Sequence, residues 1–250
     1  MAAMQSQPPR PRFIYDHPRP MVTVDVCCVR WTGQSVQQLL IRRRRDPFKG
    51  RWAFPGGFIE MNETLAQSAA RELREETGLL VDAGELQPFM VAGDPGRDPR
   101  GRTISCVFLA LVPWGTPLPR ASDDALEARW HPLERKPRLA FDHDALWDAA
   151  VHKLSRLALR PAELAPLFPP VFPVRELHQF YRRLFGVPLA PGTFREALLA
   201  TRAVEPYPGR PPARAADQPV RFARRRPAAL AAPLLIPALW NAVFAPKGGS

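Results

Sequence analysis

"GGFIEMNETLAQSAARELREETGLL", residues 56–80, decides how this chain is read. Two glycines lead into a stretch in which Leu65, Ala69 and Leu73 recur at every fourth position, one face of a helix. The pattern predicts a helix over residues 63–77, capped at its start by Asn62 or Thr64 and ended by Gly78. Four carboxylates crowd the same stretch: Glu63, Glu72, Glu75 and Glu76. Residues three or four apart on a helix are neighbours, so Glu72, Glu75 and Glu76 project as one acidic cluster in which like charges repel. A cation among them relieves that repulsion. Clustered hard oxygens suit Mg2+ or Mn2+, which commonly sit on a few carboxylates and substrate phosphates. The carbonyls of Gly56 and Gly57 can add a ligand, because glycine lets the backbone come close. Arg71 can pair with Glu63 and hold the preceding loop against the helix.

Working outward, "MVTVDVCCVRW" and residues 36–44 are β-rich runs joined by "TGQS", a hairpin signal, and "RWAFPGG" follows as one short strand ending in a turn. "ELQPFMVAG" and "TISCVFLALVP" are further strands around the loop "DPGRDPRGR", and "EARWHPL" is another. "DHDALWDAAVHKLSRLAL" is an amphipathic helix. Strands on both sides of a central helix, closed by a second helix, imply an α/β/α sandwich over residues 21–160, after a flexible N-terminal arm at 1–20.

Beyond residue 160 the pattern changes to a short helix, a proline break, a helix with Leu177, Phe180, Tyr181 and Leu184 on one side, and a helix in "PGTFREALLATRAV". Two short strands then flank a basic loop. Three helices and a hairpin are the layout of a small winged helix-turn-helix domain, here at residues 161–226. Residues 227–250 form an apolar, proline-rich tail, expected to pack on the body or on a partner subunit; Pro233 and Pro237 interrupt it too often for a membrane span.

With 250 residues and 46% hydrophobic composition the chain has ample core for one or two domains, and it is no disordered polymer. The net charge of +11 is uneven, since residues 161–250 hold 12 Arg and Lys against 5 Asp and Glu. That surplus suits a polyanion partner, although arginine-rich composition alone can produce it. Cys27, Cys28 and Cys106 lack metal-ligand spacing and fit small core positions in a reduced, cytoplasmic setting. "MAAMQSQPPRPR" has no apolar run and reads as no signal peptide.

Gly57, five residues, Glu63, seven residues and then "RELREETGL" resemble, without a departure, the box of the Nudix hydrolases. The resemblance implies a Nudix fold and hydrolysis of a nucleoside diphosphate linked to another moiety. It also implies Glu72 and Glu76 as principal metal ligands, Glu75 as an assistant and the Gly57 carbonyl as a further donor. A surface helix with solvated Glu–Arg pairs would explain the composition but not the complete spacing. Pro95, sixteen positions after Leu79, sits where ADP-ribose pyrophosphatases of the superfamily carry a distinguishing proline. Arg97, Arg100 and Arg102 can hold phosphates or ribose hydroxyls there; the plain alternative is a proline-stiffened turn whose arginines face water. The base that orients the attacking water is open between a box acid such as Glu75 and the loop acids Asp123, Asp124 and Glu127. Trp52 and Phe54 stand near enough to serve an adenine, but core packing is the better expectation for both.

The segment after residue 140 also resembles the Nudix-related transcriptional regulators of NAD metabolism. In those proteins a Nudix domain senses ADP-ribose and a winged helix binds operator DNA, usually as a dimer. Here "APGTFREALLATRA" offers only Arg195 and Arg202, opposed by Glu196. The wing adds Arg210, Arg214, Arg221, Arg224, Arg225 and Arg226, suited to phosphate contacts with little sequence preference. Hydrolysis of ADP-ribose to AMP and ribose 5-phosphate is the leading expectation, an ADP-ribose-sensing DNA-binding regulator the second.

Overall fold

The computed structural model describes residues 16–121, 125–208 and 218–223. Expectations for the N-terminal arm before residue 16, for Asp123 and Asp124, for Arg210, Arg214, Arg224, Arg225 and Arg226, and for the apolar tail therefore lie outside the described residues. Among the described residues no helix is long and apolar enough to cross a membrane.

β1 (Met21–Trp31) is a nearly continuous apolar run because both of its faces are covered. It turns through residues 32–35 into its antiparallel partner β2 (Val36–Arg43). β3 (Trp52–Ala53) continues along β2, whereas β4 (Gly56–Phe58) pairs back onto β1. The single short strand expected in "RWAFPGG" is therefore two, broken at Phe54 and Pro55 because Pro55 has no N–H for a ladder. β5 (Gln87–Ala92) lies antiparallel to β6 (Thr103–Leu111), β6 runs parallel to β1, and β7 (Ala125–Pro132) pairs with β2. The path β3-β2-β1-β6-β5, with β4 on β1 and β7 on β2, makes a seven-stranded mixed sheet.

Alternation along β1 assigns its side chains to two helices. Val24, Val26 and Cys28 pack in one cluster with Ala69 and Leu73 of α1 (Leu65–Thr77). Cys27, Val29 and Trp31 belong to a second cluster with Leu146, Ala150 and Leu154 of α2 (His143–Ala158). This is the α/β/α sandwich expected from the sequence. All three cysteines are free thiols, and Cys27 and Cys28 are buried as small core residues. Of the two candidate caps, Thr64 starts α1 through a reciprocal pair with Gln67, at 3.2 and 2.8 Å, and Gly78 ends it at φ 70°. Replacing such a cap by alanine costs about 1 kcal/mol.

The C-terminal elements come in the order of a winged helix. A 3-10 turn (Pro161–Leu167) leads to β8 (Phe172–Pro173), α3 (Val174–Phe185), α4 (Pro191–Ala200), β9 (Val204–Pro206) and β10 (Pro219–Phe222). The three strands pair as β8-β10-β9. β8 lies inside the expected proline break and was no part of the expected layout, and the expected short helix is this 3-10 turn; Pro166 within it removes a helical hydrogen bond. The expected boundary near residue 160 separates no two cores. Phe168, Phe180, Tyr181 and Val220 share one cluster with Val36, Leu40 and Leu146. Trp31 of β1 meets Phe180 edge-on at 5.6 Å, and the Tyr181 hydroxyl donates to the Ala158 carbonyl at the end of α2.

Candidate active site

Arg71 organises the acids on α1. Its Nε lies 3.0 Å from both Glu63 oxygens, its Nη2 donates to the Phe58 carbonyl at 3.1 Å, and its Nη1 reaches Glu72 at 2.7 Å and Glu75 at 3.3 Å. The expected Arg71–Glu63 pair thus ties the loop before α1 to the helix. Ser68 also donates to Glu63 at 2.8 Å. That hydroxyl and then Arg71 hold the Glu63 carboxyl below its ordinary pKa, against the opposing effect of desolvation.

Glu72 and Glu76 turn toward β4. The Gly56 N–H donates to Glu76 Oε2 at 2.9 Å. A Cβ on Gly57 would lie 2.5 Å from the Glu72 carboxyl, and one on Gly56 would lie 2.1 Å from the Val24 carbonyl oxygen. The two glycines therefore do different work: Gly56 lets β4 lie against β1, and Gly57 makes room for Glu72. Burial pushes the Glu76 pKa up to about 8; the Gly56 N–H opposes this and neighbouring Glu72 adds to it. Glu75, 47% exposed, points outward beside Arg71. So the three acids split into an inner pair and an outer member. Among the described residues no three His, Cys, Asp or Glu side chains converge in metal-holding geometry, and Arg71 bonds Glu63, Glu72 and Glu75. The donor chemistry nevertheless fits a hard cation: carboxylate oxygens of Glu72, Glu75 and Glu76 beside the sterically required Gly57.

The loop after β5 takes a shape of its own. Pro95 is exposed and precedes Gly96 at φ 80°, and the Arg97 N–H closes the turn on the Asp94 carbonyl at 3.3 Å. Arg97 departs from the expected open phosphate-binding arm. Its side chain is 5% exposed, bonded twice to Asp142 at 2.7 Å and 3.8 Å from Asp25. Buried Asp25 and half-buried Asp142 recruit it as their counter-charge. Arg100 pairs with buried Asp98 at 2.6 Å while its guanidinium lies over Phe58 at 5.0 Å and Phe141 at 5.6 Å. Arg102 donates to the Gly93 carbonyl. Glu127 stands on β7 with its carboxylate on Arg129. Phe54 is core, packed on His143 and Trp147, and Trp52 lies against His131 at 4.5 Å.

Sequence reasoning missed the acids and histidine behind this site. Asp25, 7% exposed on β1, pairs in register with Gly56, accepts from Ser105 and lies 3.5 Å from His143 Nε2. The signal was present: one acid inside an apolar strand, and "FDHD" across the start of a helix.

In the C-terminal segment, Arg195 is partly buried and donates to Gln218 at 2.9 Å, and Arg221 pairs with Glu205 at 2.8 Å. The exposed side of α4 carries Pro191, Gly192, Thr193, Glu196 and Ala200. Arg195 therefore ties α4 to Gln218, the residue ahead of β10, rather than standing on a reading face.

The sequence profile of the NUDIX domain matches residues 20–149. The chain belongs to the Nudix family. It is 46% identical over 108 residues to an ADP-ribose pyrophosphatase of Methanocaldococcus jannaschii, a match spanning 43% of this chain and 62% of that relative. It is 32% identical over 194 residues to the ADPR responsive transcriptional repressor NtrR of Acinetobacter baylyi, covering 76% of each chain. The crystal structure of Shewanella oneidensis NrtR complexed with a 27mer DNA superposes with a TM-score of 0.65 at 24% identity, over 81% of this Nudix chain and 93% of that one, a likeness of fold.

Proposed function

We propose that this Nudix hydrolase cleaves the diphosphate of ADP-ribose, or of a closely related nucleoside diphosphate derivative, to AMP and ribose 5-phosphate. The observation that carries the reading is the arrangement of the box, with Glu76 bonded to the Gly56 N–H and Glu72 fitted against Gly57. Glu72 and Glu76, with Glu75 and the Gly57 carbonyl, would hold Mg2+ or Mn2+, which supplies charge neutralisation on the diphosphate and a more acidic water. Arg71 offsets the carboxylate charge and fixes the loop, so the donors are oriented before substrate arrives. Arg100 and Arg102, beside the turn at Pro95, are the arms offered to phosphate or ribose. The water-orienting base is Glu75, Glu127, Asp123 or Asp124. The test is AMP release from a panel of dinucleotides and nucleotide sugars with Mg2+ or Mn2+; no turnover of any member removes the enzyme reading.

A second reading is favoured by one specific observation, the winged-helix order of the elements after residue 160. In it the chain is an ADP-ribose-responsive regulator that binds operator DNA, working as a homodimer with two reading heads. The similarity to the Acinetobacter baylyi repressor over 76% of both chains supports it. Its test is a mobility shift of a specific upstream fragment at moderate salt, with and without ADP-ribose. Equal binding to all DNA, insensitive to ADP-ribose, ends this reading.

A further inference from the structure

His143 stands behind the box, bonded to the chain that leads into it. It is the first residue of α2 and only 4% exposed. Its ring lies between Phe54 at 5.7 Å and Phe141 at 5.4 Å. Nδ1 accepts the Phe54 N–H at 3.0 Å, which leaves the proton of the neutral ring on Nε2, directed toward Asp25 Oδ1 at 3.5 Å. Burial lowers the pKa of His143, with Asp25 pulling the other way, so the neutral ring that this bond needs is the favoured form.

The backbone held by His143 is the turn that holds Glu76. The Phe54 N–H is bonded to α2 through His143, the Pro55 carbonyl accepts from Val26 of β1 at 2.8 Å, and the Gly56 N–H donates to Glu76 of α1 at 2.9 Å. Successive residues are thus fixed to three different elements. Pro55 has no N–H, so nothing within the turn can replace the Phe54 anchor. Without an acceptor the buried Phe54 N–H is left unpaired, and the turn relieves this only by moving the residues that meet Glu72 and Glu76. Asp142, the neighbour of His143, holds Arg97 in the same way, so the start of α2 steadies both loops beside the box.

We propose that His143 is a positioning residue: through Nδ1 it holds the 54–56 turn so that the Gly56 N–H and the Gly57 carbonyl stand in register with Glu76 and Glu72. The proposal rests on reading the box as a metal-held diphosphate site. Three variants of the full chain separate positioning from simple packing: His143→Asn, whose Oδ1 reaches the place of Nδ1, His143→Gln, whose oxygen reaches only the place of Nε2, and His143→Leu, which has no acceptor. Each is tested for Mn2+ affinity without substrate, hydrogen exchange at the Phe54 and Gly56 amides, thermal midpoint, and kcat and KM for ADP-ribose. His143→Leu and His143→Gln are expected to weaken Mn2+ binding and kcat by about 10–100-fold, the range found for partners that orient metal ligands. KM changes less, and both amides exchange faster. His143→Asn is expected to stay within a few-fold of wild type on each measure, even though its smaller side chain lowers the thermal midpoint. Loss in His143→Asn equal to that in His143→Leu, or wild-type Mn2+ affinity in a folded His143→Gln, overturns the proposal. A wild-type protein that binds no Mn2+ overturns it too. If the wild type binds Mn2+ but hydrolyses nothing, the enzymatic reading fails while the order of Mn2+ affinities still decides this one. If His143→Leu does not fold, the Asn and Gln pair carries the comparison.

Discussion

The box helix α1 and the winged-helix segment α4 are both short helices with charged residues, yet they use charge in opposite ways. On α1, Glu72 and Glu76 point at β4, where Gly56 and Gly57 meet them. On α4, Arg195 is drawn onto Gln218, and the exposed side shows Thr193 and Glu196 instead. A charge that faces a backbone cradle, as Glu72 does even while paired with Arg71, can act on a ligand; a charge turned onto a neighbouring side chain and away from any cradle mainly braces the fold. The difference explains why the first region has a function written in its spacing and the second has chiefly an architecture.

The largest test of that contrast is Glu76→Gln against Glu127→Gln. The first removes charge from the inner pair and is expected to cost more than the roughly 10–100-fold loss typical of residues that only orient ligands, while the second, paired with Arg129 on β7, costs far less. Steady-state AMP release measures both. Equal losses would erase the distinction between the inner acids and the rest.

Phe180→Ala probes whether the two regions are separable at all. Phe180 is fully buried, against Trp31 of β1 and Phe168, so its truncation is expected to destabilise the chain by about 3–5 kcal/mol. Because the core is continuous, denaturation followed by sheet and by C-terminal probes should still show one coincident transition. Two transitions would mean two independent units.

A smaller effect comes from single methyl groups. Gly57→Ala places a Cβ 2.5 Å from the Glu72 carboxyl and should lower activity about tenfold or more by moving that acid, with little change in stability. Gly192→Ala meets nothing within 4 Å in the first turn of α4, and should leave activity alone while stabilising the fold by about 0.4–1 kcal/mol. The smallest effect is expected from Arg195→Ala in a DNA shift assay. Arg195 is turned onto Gln218, so in the regulator reading its loss should weaken binding to all sequences alike by a few-fold without relaxing selectivity. Loss of selectivity would restore Arg195 to a reading face.

Local patterns in the sequence settle the sandwich, the box and, β8 and the 3-10 turn aside, the order of the C-terminal elements. These are local quantities: β-rich runs, a four-residue helical repeat between Thr64 and Gly78, and Gly57, Glu63, Arg71, Glu72 and Glu76 at fixed distances along one chain segment. It could not tell that Arg97 would turn inward, because Asp142 lies 45 residues away and reaches it only when α2 covers the sheet. It could not assign His143 to Phe54, 89 residues distant, or merge the two expected cores through Trp31 and Phe180. Spacing alone did not separate Glu75 from Glu72 and Glu76, a division that only the Nudix resemblance implied, since it depends on which side of α1 meets β4. Local periodicity specifies elements and the residues they present. Which charges remain open for chemistry is decided by burial, because a buried charge must find a partner from whatever distant strand or helix packs against it.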